Sequence, residues 1–272
     1  MLNLLKRRRR RKLTREEYRQ RVKFTDDFFF SRVMQNLDLC KRMVEALLGI
    51  KVKSVRVHQT QRQLKREKHT HGIRLDVCLE DDDRVIVVEM QTANKKGFFW
   101  RIRLYQGLLD TAMLPAGASY KSLKNTYIIF LCTFDPVGLG LPIYTVRQCY
   151  EEDLYKKYDD GTCKILYNAA AWASYEDAEI QAILKYMDTG QAQSGLTEDI
   201  ETGIETERDT QRLRSEYMTY DMKLCEVRDE TWEEASHERA VDDARAFLQM
   251  GLSPQQVAQG TGLPIDEVRT LL

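Results

Sequence analysis

The chain has 272 residues, 43% of them hydrophobic, enough to bury an ordinary core in one large domain or one domain with appendages. Its 42 Lys and Arg balance its 42 Asp and Glu, so net charge singles out no partner. The charge is instead polarised along the chain: Lys6 to Lys12 is an unbroken run of seven basic residues, whereas 198–243 is rich in Glu and Asp. No stretch approaches the ~18 uninterrupted apolar residues of a membrane span, and no apolar segment follows the basic run as it would in a signal peptide. Six cysteines are scattered without a CxxC pair, several of them inside apolar runs. That pattern argues against a disulfide framework and fits buried, reduced thiols. The expectation is a soluble, cytoplasmic protein.

Residues 1–21 form a basic arm. It reads as a solvated tail entering a helix, with Thr14 as N-cap and Glu17 completing a capping box, or else as a phosphate-binding arm. Residues 25–50 are predicted helical, with Thr25 as cap, apolar positions from Phe28 to Leu48, a break near Asn36-Leu37-Asp38, and Gly49 as stop. Residues 51–59 alternate imperfectly and predict an edge strand. The polar loop 59–72 carries Arg62, Lys65, Arg66, Lys68, His69 and His71. These are solvent-facing charges or backbone contacts for DNA, and a solvated loop outweighs a histidine metal site. Residues 72–80 and 84–91 then predict a β-hairpin folded about Asp81-Asp82-Asp83.

Lys95-Lys96-Gly97 predicts a turn, and 98–114 an amphipathic helix stopped by Pro115. Residues 126–134 are the most apolar run and predict a central strand. Residues 142–151 and 163–169 predict two further strands joined by a turn at Asp159-Asp160-Gly161, and 178–187 a short helix. Residues 191–206 are read as a linker. A charged helix over 207–250 and a pair of short helices over 251–272, starting at Ser253 and Pro264, complete the chain. That pair has few basic residues beyond Arg269, so it reads as a packing or interaction module, a surface on which a homo-oligomer could form. The predicted organisation is a basic arm (1–21), a main domain (22–190), the linker and a helical extension (207–272). The predicted fold class is α/β or α+β: a mixed central sheet flanked by helices.

The chemistry concentrates in the hairpin. On its second strand Val85, Val87, Glu89 and Gln91 share one face, and Ile86, Val88 and Met90 the other. Asp76 on the first strand faces Val88 or Glu89. Charges that interrupt core strands need a compensating partner, because an unpaired buried charge is costly. One partner is a divalent cation. Mg²⁺, or Mn²⁺ in its place, takes hard oxygen ligands, often only one or two carboxylates, and serves phosphodiester hydrolysis. Asp76, Glu89 and the main-chain carbonyl of Met90 could bind it, and Gln91 could orient the attacking water. The other possibility is a set of structural ion pairs to Arg74, Arg101 or Arg103. Arg101 and Tyr105 share a helix face, where they either contact a phosphate or simply pack.

Several blocks follow one another in order: Phe24-Thr-Asp-Asp-Phe-Phe-Phe30, RLDVCLEDDDRVIVVEMQ, RIRLYQGLLD, LKNTYIIFLCTFDPVGLGLPIYTV and the tail GLSPQQVAQGTGL. Together they resemble the Rpn family of recombination-promoting nucleases, also called PD-(D/E)XK nuclease family transposases, over roughly residues 22–190 and more loosely in the tail. The resemblance implies a restriction-endonuclease-like core and Mg²⁺-dependent cleavage of DNA with low sequence specificity, linked to recombination or mobile elements. By position Asp76 corresponds to the first motif acid and Glu89 to the second, while Gln91 stands where the superfamily places Lys. Gln carries no charge, so Lys95, Lys96 or Arg101 would have to supply it. The superfamily also often places an acid on the N-terminal helix near the metal, and Glu45 is favoured over Asp38 for that place. A degenerate nuclease fold kept as a DNA-binding or interaction module is the alternative, and an RNA substrate is equally compatible with the chemistry.

Overall fold

The computed structural model describes residues 14, 17–18, 21–52, 56–57, 62–64, 73–208 and 210–271. The basic run, Lys65, Arg66, Lys68, His69 and His71 lie outside them. The expected capping box is present: Glu17 N–H donates to Thr14 Oγ1 at 3.2 Å, and Thr14 N–H to Glu17 Oε2 at 2.8 Å. The predicted helix over 25–50 is two helices, α1 (Asp27–Val33) and α2 (Leu37–Leu48). Asp26, not Thr25, caps the first by accepting from Phe28 and Phe29 N–H, and Asn36 caps the second, which explains the break. Gly49 ends α2 at φ 63°, a left-handed conformation that suits glycine.

The strands follow in chain order as β1 (Arg56–Val57), β2 (Arg62–Leu64), β3 (Ile73–Leu75), β4 (Val77–Glu80) and β5 (Arg84–Gln91). Here the structure departs from the sequence reading twice. The polar loop contains a strand, β2, which pairs antiparallel with β3 in a small sheet of its own. The first hairpin strand is also broken at Asp76: β3 leaves to join β2, while β4 stays antiparallel to β5. Helix α3 (Phe98–Met113) crosses to β6 (Asn125–Cys132), which runs parallel to β5. The segment expected to be one strand over 142–151 is split into β7 (Ile143–Val146) and β8 (Cys149–Tyr150). The latter forms a separate exposed hairpin with β9 (Asp153–Lys157). Strand β10 (Thr162–Asn168) then runs parallel to β6 and antiparallel to β7.

Among the described residues the main sheet has six strands in the order β1-β4-β5-β6-β10-β7, with parallel strands at its centre and antiparallel ones outside. This is the expected mixed sheet, and β6 is central as its apolar run predicts: residues 128–132 are fully buried. One sheet face packs on α3. Phe98, Ile102, Tyr105 and Leu109 recur at helical spacing and meet Val85, Val87, Ile128, Phe130 and Leu166. Each fully buried side chain of this set contributes about 1.5–3 kcal/mol. On the other face Tyr167 donates its hydroxyl to the main-chain carbonyl of Leu47 at the end of α2. Helix α4 (Ala178–Thr189) follows, and Tyr186 on it donates to Glu201.

The stretch read as a linker is for the most part helix α5 (Gly195–Arg208), with Leu196, Ile200 and Ile204 buried. Its polar composition hid an apolar stripe at four-residue spacing. Helix α6 (Gln211–Gln249) follows. The chain forms two compact units, residues 1–213 and 214–272. In the second, α7 (Pro254–Thr261) and α8 (Ile265–Thr270) pack with the end of α6 around Ala244, Val257, Leu263 and Val268. Ser253 caps α7 in a capping box with Gln256. Among the described residues Cys40, Cys132, Cys149 and Cys163 are free thiols, and burial pushes the Cys40 and Cys132 thiols up to about 12. No described helix is long and apolar enough to cross a membrane.

Candidate active site

The break at Asp76 creates the site. Val77 pairs with Val88, so continued pairing would set Asp76 against Glu89 and Leu75 against Met90. Instead the chain bends at Asp76, and the edge of β5 at Met90 loses its neighbouring main chain. The Asp76 side chain takes that place: Met90 N–H donates to Asp76 Oδ2 at 3.1 Å. In return Asp76 N–H donates to Glu89 Oε1 at 3.0 Å. The two carboxylates are thus fixed side by side, each by the other strand's amide. N–H and C=O of one strand residue point to the same side, so the Met90 carbonyl is aimed toward Asp76. The alternation is consistent one residue on, where the Gln91 carbonyl accepts from Thr133 N–H on the opposite side at 3.0 Å.

Glu89 and Gln91 lie on the α3 face with Val85 and Val87, as their alternation predicts, and are only 4% and 5% exposed. Two α3 residues one turn apart meet them. Tyr105 donates its hydroxyl to Glu89 Oε2 at 3.1 Å, and Arg101 donates to Gln91 Oε1. The Gln91 amide in turn donates to the Ala93 carbonyl. Arg101 is wrapped by aromatic rings: its guanidinium carbon lies 5.6 Å from the Phe98 centroid, 5.8 Å from Tyr105 and 5.7 Å from Phe130. Its Nε is buried with no hydrogen-bond partner among the described residues. Gly97, at φ 82° before α3, gives the left-handed turn that carries the chain from Lys96 into the helix.

Burial and the neighbouring Asp76 push the Glu89 carboxyl well above its usual range, against the pull of Asp76 N–H, Tyr105 and Arg101. Burial, then Glu89, raises the Tyr105 hydroxyl in turn. Glu89 thus carries a charge its surroundings disfavour, the condition that a cation would relieve.

Residues 12–138 match the PD-(D/E)XK nuclease family transposases. The matched PD-(D/E)XK segment includes Asp76, Glu89, Gln91, Arg101 and Tyr105, and ends before β7 and β10. The matched segment is thus similar to a nuclease family, and the mixed sheet flanked by helices agrees with that likeness. Searches of curated proteins and of solved structures return no match to the chain.

The donor set suits a hard divalent cation, because it consists of two carboxylates with a main-chain carbonyl beside them. Among the described residues, however, no group of three or more His, Cys, Asp or Glu side chains gathers to hold a metal ion. Glu45, expected as a third acid, is therefore not brought into such a cluster with Asp76 and Glu89. Its carboxylate accepts from Val52 N–H at 2.8 Å and from Lys51 Nζ at 3.1 Å, tying the end of α2 to the chain that follows. The Val52 bond, and after it Lys51, hold the Glu45 carboxyl below its usual range in spite of burial. The Ala93 carbonyl and the rings of Phe98 and Phe130 were not foreseen. Their signal was Arg101 itself, a cation beside the apolar stripe Phe98, Ile102, Tyr105 and Leu109.

Proposed function

We propose that this protein is a metal-dependent endonuclease that hydrolyses phosphodiester bonds of DNA, with Mg²⁺ as the ion and Mn²⁺ as a substitute. Asp76, Glu89 and the Met90 carbonyl would hold the ion. When bound, it would neutralise charge on the phosphate oxygens and acidify the attacking water. Everything else falls to side chains of the chain. Asp76 and Glu89 are held ready by each other's strand, so little ordering is left to be done on binding. Tyr105 keeps the Glu89 carboxylate in the plane that serves the site. Gln91, held at both ends by Ala93 and Arg101, keeps one amide hydrogen and one lone pair to orient water. Arg101 supplies the positive charge for which the superfamily uses Lys. The low sequence specificity and the tie to recombination or mobile elements, as in the Rpn proteins, belong to this proposal and rest on the family resemblance.

One observation carries the reading: two carboxylates from adjoining strands are locked together in a place that disfavours their joint charge. The test is incubation of supercoiled plasmid with the full chain in Mg²⁺ or EDTA, beside Asp76→Ala. The expected result is nicking in Mg²⁺ that disappears in EDTA and in the variant. Cutting that persists in Asp76→Ala rejects the site. Absence of cutting with every divalent ion, on DNA and on RNA, would mean that the fold serves as a binding module.

A further inference from the structure

Helix α3 faces two ways. Its buried stripe builds the site, while its outward stripe carries Phe99, Trp100, Arg103 and Leu104, at the three- and four-residue spacing of one helix face. Trp100 is 67% and Phe99 51% exposed, unusual positions for large aromatic side chains. Between Gln91 and Asp110 the chain has four Lys or Arg and no Asp or Glu. Of these, Lys95, Lys96 and Arg103 are exposed around the aromatic pair.

The ledge is continuous with the site. Phe130 meets Phe98 edge-on at 5.0 Å between centroids, Phe98 meets Phe99 at 5.6 Å, and Arg101 lies over Phe98. A row of rings therefore leads from beside Glu89 to the open surface. Exposed rings among cations match the two parts of an unpaired nucleic-acid strand, flat bases and phosphates. A duplex offers only phosphates, because its bases are already stacked. A second copy fits worse, since a two-fold contact through this stripe would oppose Lys95, Lys96 and Arg103 to their own counterparts.

We infer that Phe99 and Trp100, with Lys95, Lys96 and Arg103, form a stacking ledge for unpaired bases of single-stranded DNA entering the site, so that strands with unpaired segments are the preferred substrate class. This deepens the nuclease reading and rests on it, but its test does not require cleavage.

The test is fluorescence anisotropy of labelled oligo(dT) and of a hairpin duplex with the full-length protein in EDTA, for the wild type, Trp100→Ala and Trp100→Phe. Melting curves and light scattering of each variant accompany it. Loss of one stacked base should weaken oligo(dT) binding about tenfold in Trp100→Ala. Trp100→Phe should restore most of it, and duplex binding should be unchanged. Three results would overturn the inference: unchanged oligo(dT) affinity, equal weakening for both DNAs, or a changed oligomeric state in Trp100→Ala without selective loss of oligo(dT). If any of these accompanies Asp76-dependent plasmid cleavage, the inference fails and the nuclease reading stands. Trp100-dependent oligo(dT) binding by a protein that cuts nothing keeps the ledge and removes the hydrolytic reading.

Discussion

Replacing Glu89 with Gln should make the metal-free protein more stable. Glu89 accepts from Asp76 N–H at 3.0 Å and from the Tyr105 hydroxyl at 3.1 Å. Gln can keep both contacts. Its amide oxygen accepts from Asp76 N–H, and its NH₂ turns toward Tyr105, whose hydroxyl changes from donor to acceptor. Only the charge is lost, and that charge is buried beside Asp76. Relief of such a functional compromise is worth about 0.5–2 kcal/mol, or about 1–8 °C in melting temperature for a unit of this size. The pH dependence follows from the raised carboxyl. The folded protein holds the Glu89 proton more tightly than the unfolded chain does, so this group's contribution is fully present below the ordinary value of 4.5. It is lost as pH rises through the higher folded value. The advantage of Gln should therefore be absent near pH 4.5 and grow toward neutrality. Thermal unfolding in EDTA over a pH series measures it. Addition of Mg²⁺ should reverse the order, because an ion at a hundred times its dissociation constant stabilises the wild type by about 2.7 kcal/mol and the variant by less. A variant that melts below the wild type in EDTA at pH 8, or a difference independent of pH, would refute the claim that the two carboxylates crowd each other.

Further outcomes follow from the same geometry. Tyr105→Phe removes the hydroxyl that orients Glu89 and should weaken Mg²⁺ binding about tenfold or more, as read by calorimetric titration or by the Mg²⁺-induced melting shift. Arg101→Ala removes the donor to Gln91 Oε1 and a cation that acts on Glu89. It should lower the cleavage rate about 10²-fold, with Arg101→Lys intermediate because Lys restores charge but not the planar stacking on Phe98 and Phe130. Asp135 has a structural role in the loop before β7. It accepts from Val137, Gly138 and Gly140 N–H and from the Tyr144 hydroxyl. Burial alone would raise its carboxyl, but these bonds hold it at about 2. Its contribution is thus present above the unfolded carboxylate value and is lost as pH falls toward 2. Asp135→Ala should cost about 1.5–3 kcal/mol at pH 7 in denaturant unfolding without altering Mg²⁺ binding, and the loss should shrink in acid.

Much of this arrangement follows from local chain chemistry. The alternation of Val85, Val87, Glu89 and Gln91 already sets which side chains share a face, because the strand period is two. The helical spacing of Phe98, Ile102, Tyr105 and Leu109 sets which side of α3 is buried, and the apolar run at 128–132 marks the centre of the sheet. Asn36, Gly49 and Ser253 mark helix ends through bonds they make within a few residues. Tertiary packing decided what depends on chain segments far apart. The bend at Asp76 depends on β3 finding β2 in a polar stretch with no strand pattern, and that bend lets a carboxylate take the place of a main-chain neighbour at Met90. The choice of Arg101 over Lys95 or Lys96 as the cation at Gln91 depends on the rings of Phe98 and Phe130, the latter 29 positions further along. The Glu45 side chain is largely covered, as its apolar neighbours suggest, yet it bonds to Val52 and Lys51, because the turn at Gly49 brings those donors to it. Residue spacing fixes the direction of a side chain, whereas the partner it meets is fixed only when distant segments close around it.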